Sequence, residues 1–322
     1  MKIALAGDTM LGRMVGDRLL SEPWKPLFSD GVVEVLADAD LVVANLECAI
    51  SDRGQRWPNA AKPFFFRAPP AAADHLAHLG IDCVTLANNH ALDYGPVALL
   101  DTIEHLQRVG ISCVGAGPDV HAARTPALFE RNDTTVAVVG VTDHPAEFAA
   151  GEEEPGVAFA DLRHGTPAWL RDTIASAPAD VVLVSPHWGP NLEAEPVDHV
   201  RRAAAELRAA GATLVAGHSA HVFHGVTDRI LFDLGGFIDD YAVDPRLRND
   251  LGLLFTVHFD GATPLHLEAT PIALDHCMTR LADPAEARIV ADRFRMACAA
   301  FETPVQQSGD RLVIDWTGQL VA

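Results

Sequence analysis

An α/β fold is predicted for this chain, on two observations. Over the first two-thirds of the sequence, short β-branched runs alternate with stretches of helical periodicity. Nearly every strong strand is followed at once by residues able to ligate a metal or move a proton. The carboxyl ends of strands are where open α/β sheets build their sites.

Residues 1–8 enter an apolar strand pattern directly, and residues 41–44, 83–86, 136–139 and 181–184 are apolar, largely β-branched runs of buried-strand type. Between them, residues 71–79, 97–109, 166–175 and 197–210 carry helical patterns. Two of these end in Gly80 and Gly110, as helix C-termini often do. From Arg229 the rhythm changes. Residues 230–234, 253–259 and 265–274 read as consecutive strands, 284–301 as a terminal helix and 311–316 as a last strand. A mixed sheet or a second packed sheet fits this region.

With 322 residues, 49% of them hydrophobic, the chain can bury a large core. No linker divides it; the nearest candidate, Gly-Glu-Glu-Glu-Pro-Gly at 151–156, reads as a solvated loop. One domain over 1–322 is expected, with a core of 1–275 and a C-terminal helix and strand in 276–322. The net charge of −20, from 24 basic and 44 acidic residues, repels nucleic acid and anionic membrane surfaces. Neither is expected as a partner. No apolar run reaches the roughly 18 residues of a membrane span, and no signal-peptide pattern opens the chain. A cytoplasmic location is expected. Cys48, Cys83, Cys113, Cys277 and Cys298 are scattered without paired spacing, which fits core residues better than disulfides. Oligomeric state leaves no mark in the sequence.

The polar groups after the strands are Gly7-Asp8, Asn45-Leu46-Glu47, Asn88-Asn89-His90 with Asp93, His187-Trp188-Gly189, and Gly217-His218-Ser219-Ala220-His221. Singly, each has a plainer reading: an Asp after a strand is usually a turn or cap, and a lone His a hydrogen-bonded core residue. Jointly they are harder to explain without a cation, because unpaired carboxylates and imidazoles are costly to bury beside apolar strands. Mixed oxygen and imidazole ligands suit Mn, Fe, Zn or a harder ion such as Ca or Mg. One or two such ions per chain are expected.

These motifs resemble the CapA-like family, named for poly-gamma-glutamate capsule synthesis, within the calcineurin-like metallophosphoesterase superfamily. The resemblance runs from Lys2 to about Leu274. Its marks are the Gly-Asp-x-Met-Leu-Gly-Arg start at Gly7, Asn-Leu-Glu at Asn45, Ala-Asn-Asn-His at Ala87 with Asp93-Tyr94-Gly95, His-Trp-Gly at His187, Gly-His-x-x-His at Gly217 and the late Phe237 to Tyr241. It implies a four-layer α/β/β/α sandwich of two packed mixed sheets flanked by helices. It further implies that Asp8, His218 and His221 hold one metal, that Glu47 bridges or orients, and that Asn89 and His187 complete a second position. His90 would serve as acid or base with Asp93 as its orienting partner. The sequence also departs from the pattern. The usual Asp-x-His of the first loop is Asp8-Thr9-Met10, Glu47 stands for an Asp, Ser219-Ala220 lie between the last two histidines, and Gly236 stands where relatives place Asn or Asp.

Asp143-His144 after the strand at 136–141 offers a second acid–base pair, with a strand-ending turn as the equal alternative. Arg13 and Lys62 are candidate clamps for a carboxylate or phosphate. The other histidines, His258 and His266 among them, have no motif context and read as structural. The expected function is metal-assisted acid–base chemistry on a peptide or small amide, as amide hydrolysis or as Cα epimerisation, the latter on a ribosomal peptide as the resemblance implies. The alternatives are a phosphoesterase and a non-catalytic accessory binding protein.

Overall fold

The computed structural model describes residues 1–22, 26–59 and 62–318. Two large sheets, of ten and six strands, form its centre. In the larger, Lys2–Thr9 lies parallel to Leu41–Leu46 on one side and antiparallel to Leu251–Asp260 on the other. The parallel half continues through Cys83–Thr85 to Ser112–Val114, and the antiparallel half through Thr263–Asp275 to Arg311–Asp315 and Gln306–Ser308. The smaller sheet runs Val226–Thr227, Ile230–Leu231, Leu214–Ala216, Val181–His187, Thr134–Thr142, Ala127–Arg131.

Strand alternation explains how these sheets become layers. Successive side chains point to opposite faces. Ile3, Leu5, Leu41 and Val43 therefore meet Val136, Val138, Val181 and Leu183 in the core between the sheets. Their neighbours Ala4, Ala6, Val42 and Ala44 face outward against helices, through Val15, Val32, Leu36, Leu76, Leu99 and Leu106. On the other side Ala137, Val139, Val182 and Val184 meet Leu170, Ile174, Ala203 and Leu207 of the helices Ala168–Ser176 and Asp198–Ala209. The order helices, sheet, sheet, helices is the expected four-layer α/β/β/α arrangement. Strands covered on both faces must be apolar throughout, and this is why they read as continuous runs rather than alternating ones.

The four anticipated helices in the first two-thirds occur as Ala72–His78, Gly95–Arg108, Ala168–Ser176 and Asp198–Ala209. Three more, Arg13–Ser21, Asp30–Ala37 and Val120–Arg124, escape a periodicity reading: the first buries only Val15, Gly16 and Leu19, and all are short. The edge strand Ala127–Arg131 was also hidden, since its half-exposed Phe-Glu-Arg ending lacks an apolar run. The late strands divide between the sheets. Ile230–Leu231 joins the smaller one, whereas Gly236–Ile238 pairs in parallel with the first strand of the larger. The crossing is made by residues 232–235, where Asp8 N donates to the Gly235 carbonyl at 2.8 Å. Gly7 permits this approach, because a Cβ there would lie 1.9 Å from the Gly235 oxygen.

The C-terminal helix Pro284–Ala299 starts with a capping box, in which Asp283 accepts from Ala285 N and Glu286 N. It buries Val290, Phe294 and Cys298 in the core between the sheets, with Phe294 edge-on to Phe223. Phe294→Ala should therefore destabilise the protein by about 3–5 kcal/mol. Urea unfolding would read this, and a change below about 1 kcal/mol would mean that the helix is not integral to the core.

Candidate functional site

The carboxyl ends of both sheets' parallel strands deliver the candidate residues to one buried place. Asp8 sits near the end of the first strand, at an irregularity where the register with Leu41–Leu46 shifts. Glu47 follows that neighbouring strand, and its N–H donates to the Thr9 carbonyl. His187 ends Val181–His187, and a bridge ties it to His218, just past Leu214–Ala216. Asp8, Glu47, His187, His218 and His221 are all buried.

Asp8 is the hub. Asn45 donates to its Oδ1 at 2.7 Å, and His218 Nδ1 lies 3.1 Å from the same oxygen. His221 Nδ1 lies 3.0 Å from Oδ2. These two imidazole contacts have ion-pair distance but lack hydrogen-bond direction, so both nitrogens are left without a hydrogen-bond partner. Glu47 is more isolated: His187 Nε2 is 3.7 Å from Oε1, His221 Nδ1 is 3.8 Å from Oε2, and neither oxygen nor His187 Nε2 is hydrogen-bonded. Asp8, Glu47 and His221 each offer a ligand atom within 4.8 Å of the others. Buried polar atoms are normally satisfied. Several orphans converging on one point fit a divalent cation, and these residues form a suitable donor set for it.

Two acid–base groups adjoin this cluster. His90 Nδ1 donates to Asp93 Oδ2 at 2.7 Å, and Phe66 N donates to the same oxygen at 2.6 Å. The Lys62 ammonium lies 3.1 Å from Asp93 Oδ1 and donates to the Asn89 carbonyl at 2.6 Å. The His90 ring stacks on Phe66, and Phe66 and Tyr241 lead on to His221. On the other flank, Asp143 accepts from His144 Nδ1, from Gly189 N at 3.1 Å and from His199 Nε2 at 3.1 Å. The His144 ring is 5.2 Å from that of His187. Asn89 presents a buried Oδ1 with no partner. Of the two candidate anion clamps, Lys62 is thus committed to Asp93. Arg13 is committed to Asp240, through Nε at 3.1 Å and a closer Nη2 contact, beneath Phe64, Phe66 and Tyr241.

The bacterial capsule synthesis protein family PGA_cap matches residues 2–241. This chain belongs to that family. It is 28% identical over 280 residues to the PGA biosynthesis protein CapA of Bacillus subtilis, covering 83% of this chain and 72% of that one. It is 29% identical over 314 residues to a probable polyglutamine synthesis accessory protein of Mycobacterium tuberculosis, covering 81% of each. A crystal structure of a hypothetical protein from Thermus thermophilus shares the fold, with a TM-score of 0.51 at 15% identity, covering 85% of this chain and all of the other.

Two of the departures from the family pattern, at Met10 and Gly236, can be read locally. Met10 is fully buried and its sulfur accepts from Gly12 N at 3.1 Å, so this position packs rather than ligates. A Cβ on Gly236 would lie 3.1 Å from Leu274 Cδ2 and 3.2 Å from Asp239 Oδ2, so a side chain there would crowd both. Asn45, named only as part of the Asn-Leu-Glu motif, and Asp233 were given no role from sequence. Asn45 also lies 3.4 Å from His187 Nδ1, joining Asp8 to the second sheet. Asp233 accepts from Ala220 N and Gly235 N, both at 2.8 Å. That fixes the loop on which Ser219 and His221 adopt positive φ. Asp233 sits in an apolar stretch with no motif spacing, and only its tertiary partners reveal it.

The electrostatics follow from burying several acids together. Burial works against ionisation of Asp8, yet His218 and His221 hold it well below the usual carboxylate range. Burial, reinforced by the charge of Asp8, pushes Glu47 well above its range. His221, despite burial, is raised to about 10 by Glu47 and Asp8. Without a metal, protons on Glu47 and His221 supply the positive charge this pocket demands. A cation must displace them, so its binding at neutral pH should release about one proton or more per ion. Titration calorimetry with Mn2+ in buffers of different ionisation enthalpy reads that release, and a buffer-independent heat would refute it. Separately, Asp93→Asn should destabilise by about 3–5 kcal/mol, because it strands the largely buried Lys62 ammonium; thermal or urea unfolding measures this.

Proposed function

We propose that this protein is a metal-dependent enzyme performing acid–base chemistry on a peptide or amide substrate. The observation that carries this reading is the set of buried, unpartnered ligand atoms on Glu47, His187, His218 and His221 around the Asp8 carboxylate. Asp8, Glu47 and His221 would hold the ion, with His187 and His218 flanking it. A divalent cation bound there supplies Lewis acidity for a carbonyl oxygen and lowers the pKa of coordinated water.

The protein's own residues supply the proton transfers. His90 donates from Nδ1 to Asp93, which leaves Nε2 with a lone pair. Burial pushes its pKa down to about 4, against the pull of Asp93, so the imidazole is neutral at pH 7 and its Nε2 lone pair is free to accept a proton, although the lowered pKa weakens it as a base. Asp93 and Lys62 fix the ring and its tautomer. Epimerisation needs a group that removes the Cα proton and another that returns one to the opposite face. His90 beside Phe66 and Tyr241, and His144 beside His187, provide two such groups. Hydrolysis needs only one of them.

An amide is favoured over a phosphoester because Arg13 and Lys62 are already paired with acids. A dianionic phosphate would require a free clamp beside an already acidic pocket. The name of the M. tuberculosis relative points to polyglutamine synthesis, and such a polymer is joined by amide bonds.

Metal content of the purified protein, after incubation with Mn, Fe, Zn or Ca, is the first test. Bound ion lost in Asp8→Ala supports the site, whereas no uptake of any of the four sinks the enzyme reading and leaves an accessory binding role. His90→Ala should keep the metal but lose about 10²–10⁴-fold in turnover of peptide substrates. In D2O, deuterium gained at Cα of an intact peptide would identify epimerisation, and a cleaved amide hydrolysis. Turnover of p-nitrophenyl phosphate alone would replace the amide reading with the phosphoester one.

A further inference from the structure

Far along the larger sheet from the Asp8 cluster, the antiparallel strands Leu251–Asp260 and Thr263–Asp275 carry a second convergence of ligand-type side chains. His258 and His266 are directly opposed across the pair, and Glu268 stands one same-face step beyond His266, opposite Thr256. Their strand neighbours Val257 and Leu267 point into the core between the sheets. By alternation, His258, His266 and Glu268 therefore share the outer face.

On that face the two imidazoles stack, with centroids 4.2 Å apart and planes 19° from parallel. Both present Nε2 to the same carboxylate oxygen: Glu268 Oε1 is 3.6 Å from His258 and 3.7 Å from His266. Neither distance makes a hydrogen bond. Both are close to the roughly 3.4 Å that separates ligands on a tetrahedral Zn2+ with bonds of about 2.0–2.1 Å. His258 Nε2 is buried and has no hydrogen-bond partner. The other oxygen of Glu268 is taken by the Arg311 guanidinium from the next strand, which turns Oε1 toward the imidazoles. The nearby Lys2 ammonium is drawn off to Asp38 at 2.7 Å.

We propose that His258, His266 and Glu268 form a second metal site, independent of the Asp8 cluster, for a borderline transition cation such as Zn2+. Two imidazoles and one carboxylate favour Zn2+, Co2+ or Cu2+ over Mg2+ and Ca2+, which prefer all-oxygen sets. Three protein ligands leave a fourth position to water. The cation joins the two strands of the hairpin and, through the Glu268–Arg311 pair, the strand Arg311–Asp315. Burial and the neighbouring His266 push His258 below the usual imidazole value, and Arg311 keeps Glu268 low against its burial.

The test is a difference between two proteins, so it does not depend on what the Asp8 cluster binds. Chelator-stripped wild-type chain and a His258→Ala/His266→Ala variant are titrated with Zn2+, and with Co2+ for its four-coordinate absorption. The expected result is one Zn2+ fewer per chain in the variant, with loss of the cobalt band and of part of the zinc-induced rise in Tm. Equal zinc stoichiometry in both proteins overturns the proposal. If circular dichroism shows the double variant misfolded, His266→Gln keeps a polar side chain on the sheet and the same difference is read with it.

Discussion

The buried Asp8 carboxylate is the constraint around which this protein is organised. A charged group taken out of water must find compensation nearby. Asp8 draws on the larger sheet through Asn45 and on the smaller one through His218 and His221. The two sheets are held together over most of their area by non-directional apolar packing. At their carboxyl ends, these polar contacts fix how one sheet sits on the other. The acidic cluster is therefore a registration point of the sandwich.

The surrounding loops serve that cluster. Gly7 lets the first strand touch the Gly235 backbone, and Asp233 pins the loop carrying His218 and His221. Gly217 is similarly confined, since a Cβ there would lie 2.1 Å from the Phe232 carbonyl. Lys62, Asp93 and Phe66 N form a closed set that leaves His90 one free nitrogen. The result is a preorganised set of buried groups, among which electrostatic interactions are stronger than in water.

Much of the site was legible in the chain because strand ends punctuate it. A buried parallel strand reads as an apolar run, and a polar residue directly after it stands out. Asp8, Glu47, Asn89, His90, His187, His218 and His221 were all found in this way. The roles of Asn45, Asp233 and Asp239 were not, for separate reasons. Asn45 was read only as the start of the Asn-Leu-Glu motif, Asp233 falls inside the run read as a strand over 230–234, and Asp239 lies in the late Phe237 to Tyr241 motif, where the sequence does not show that it accepts from Tyr241 N. Arg13 and Lys62 show the converse limit: a sequence displays a cation but not whether an acid has already claimed it.

By itself the sequence determined the α/β class, the order of the main strands and helices, and the groups available for ligation and proton transfer. All are written in local patterns of apolarity and in which residue follows a strand. Only the tertiary structure decided how the late strands divide between the two sheets and which imidazole faces which carboxylate. It also brought His258, His266 and Glu268 together across a hairpin. Those outcomes depend on register and on contacts between residues far apart in the chain, where a one-residue slip would turn every side chain to the other face.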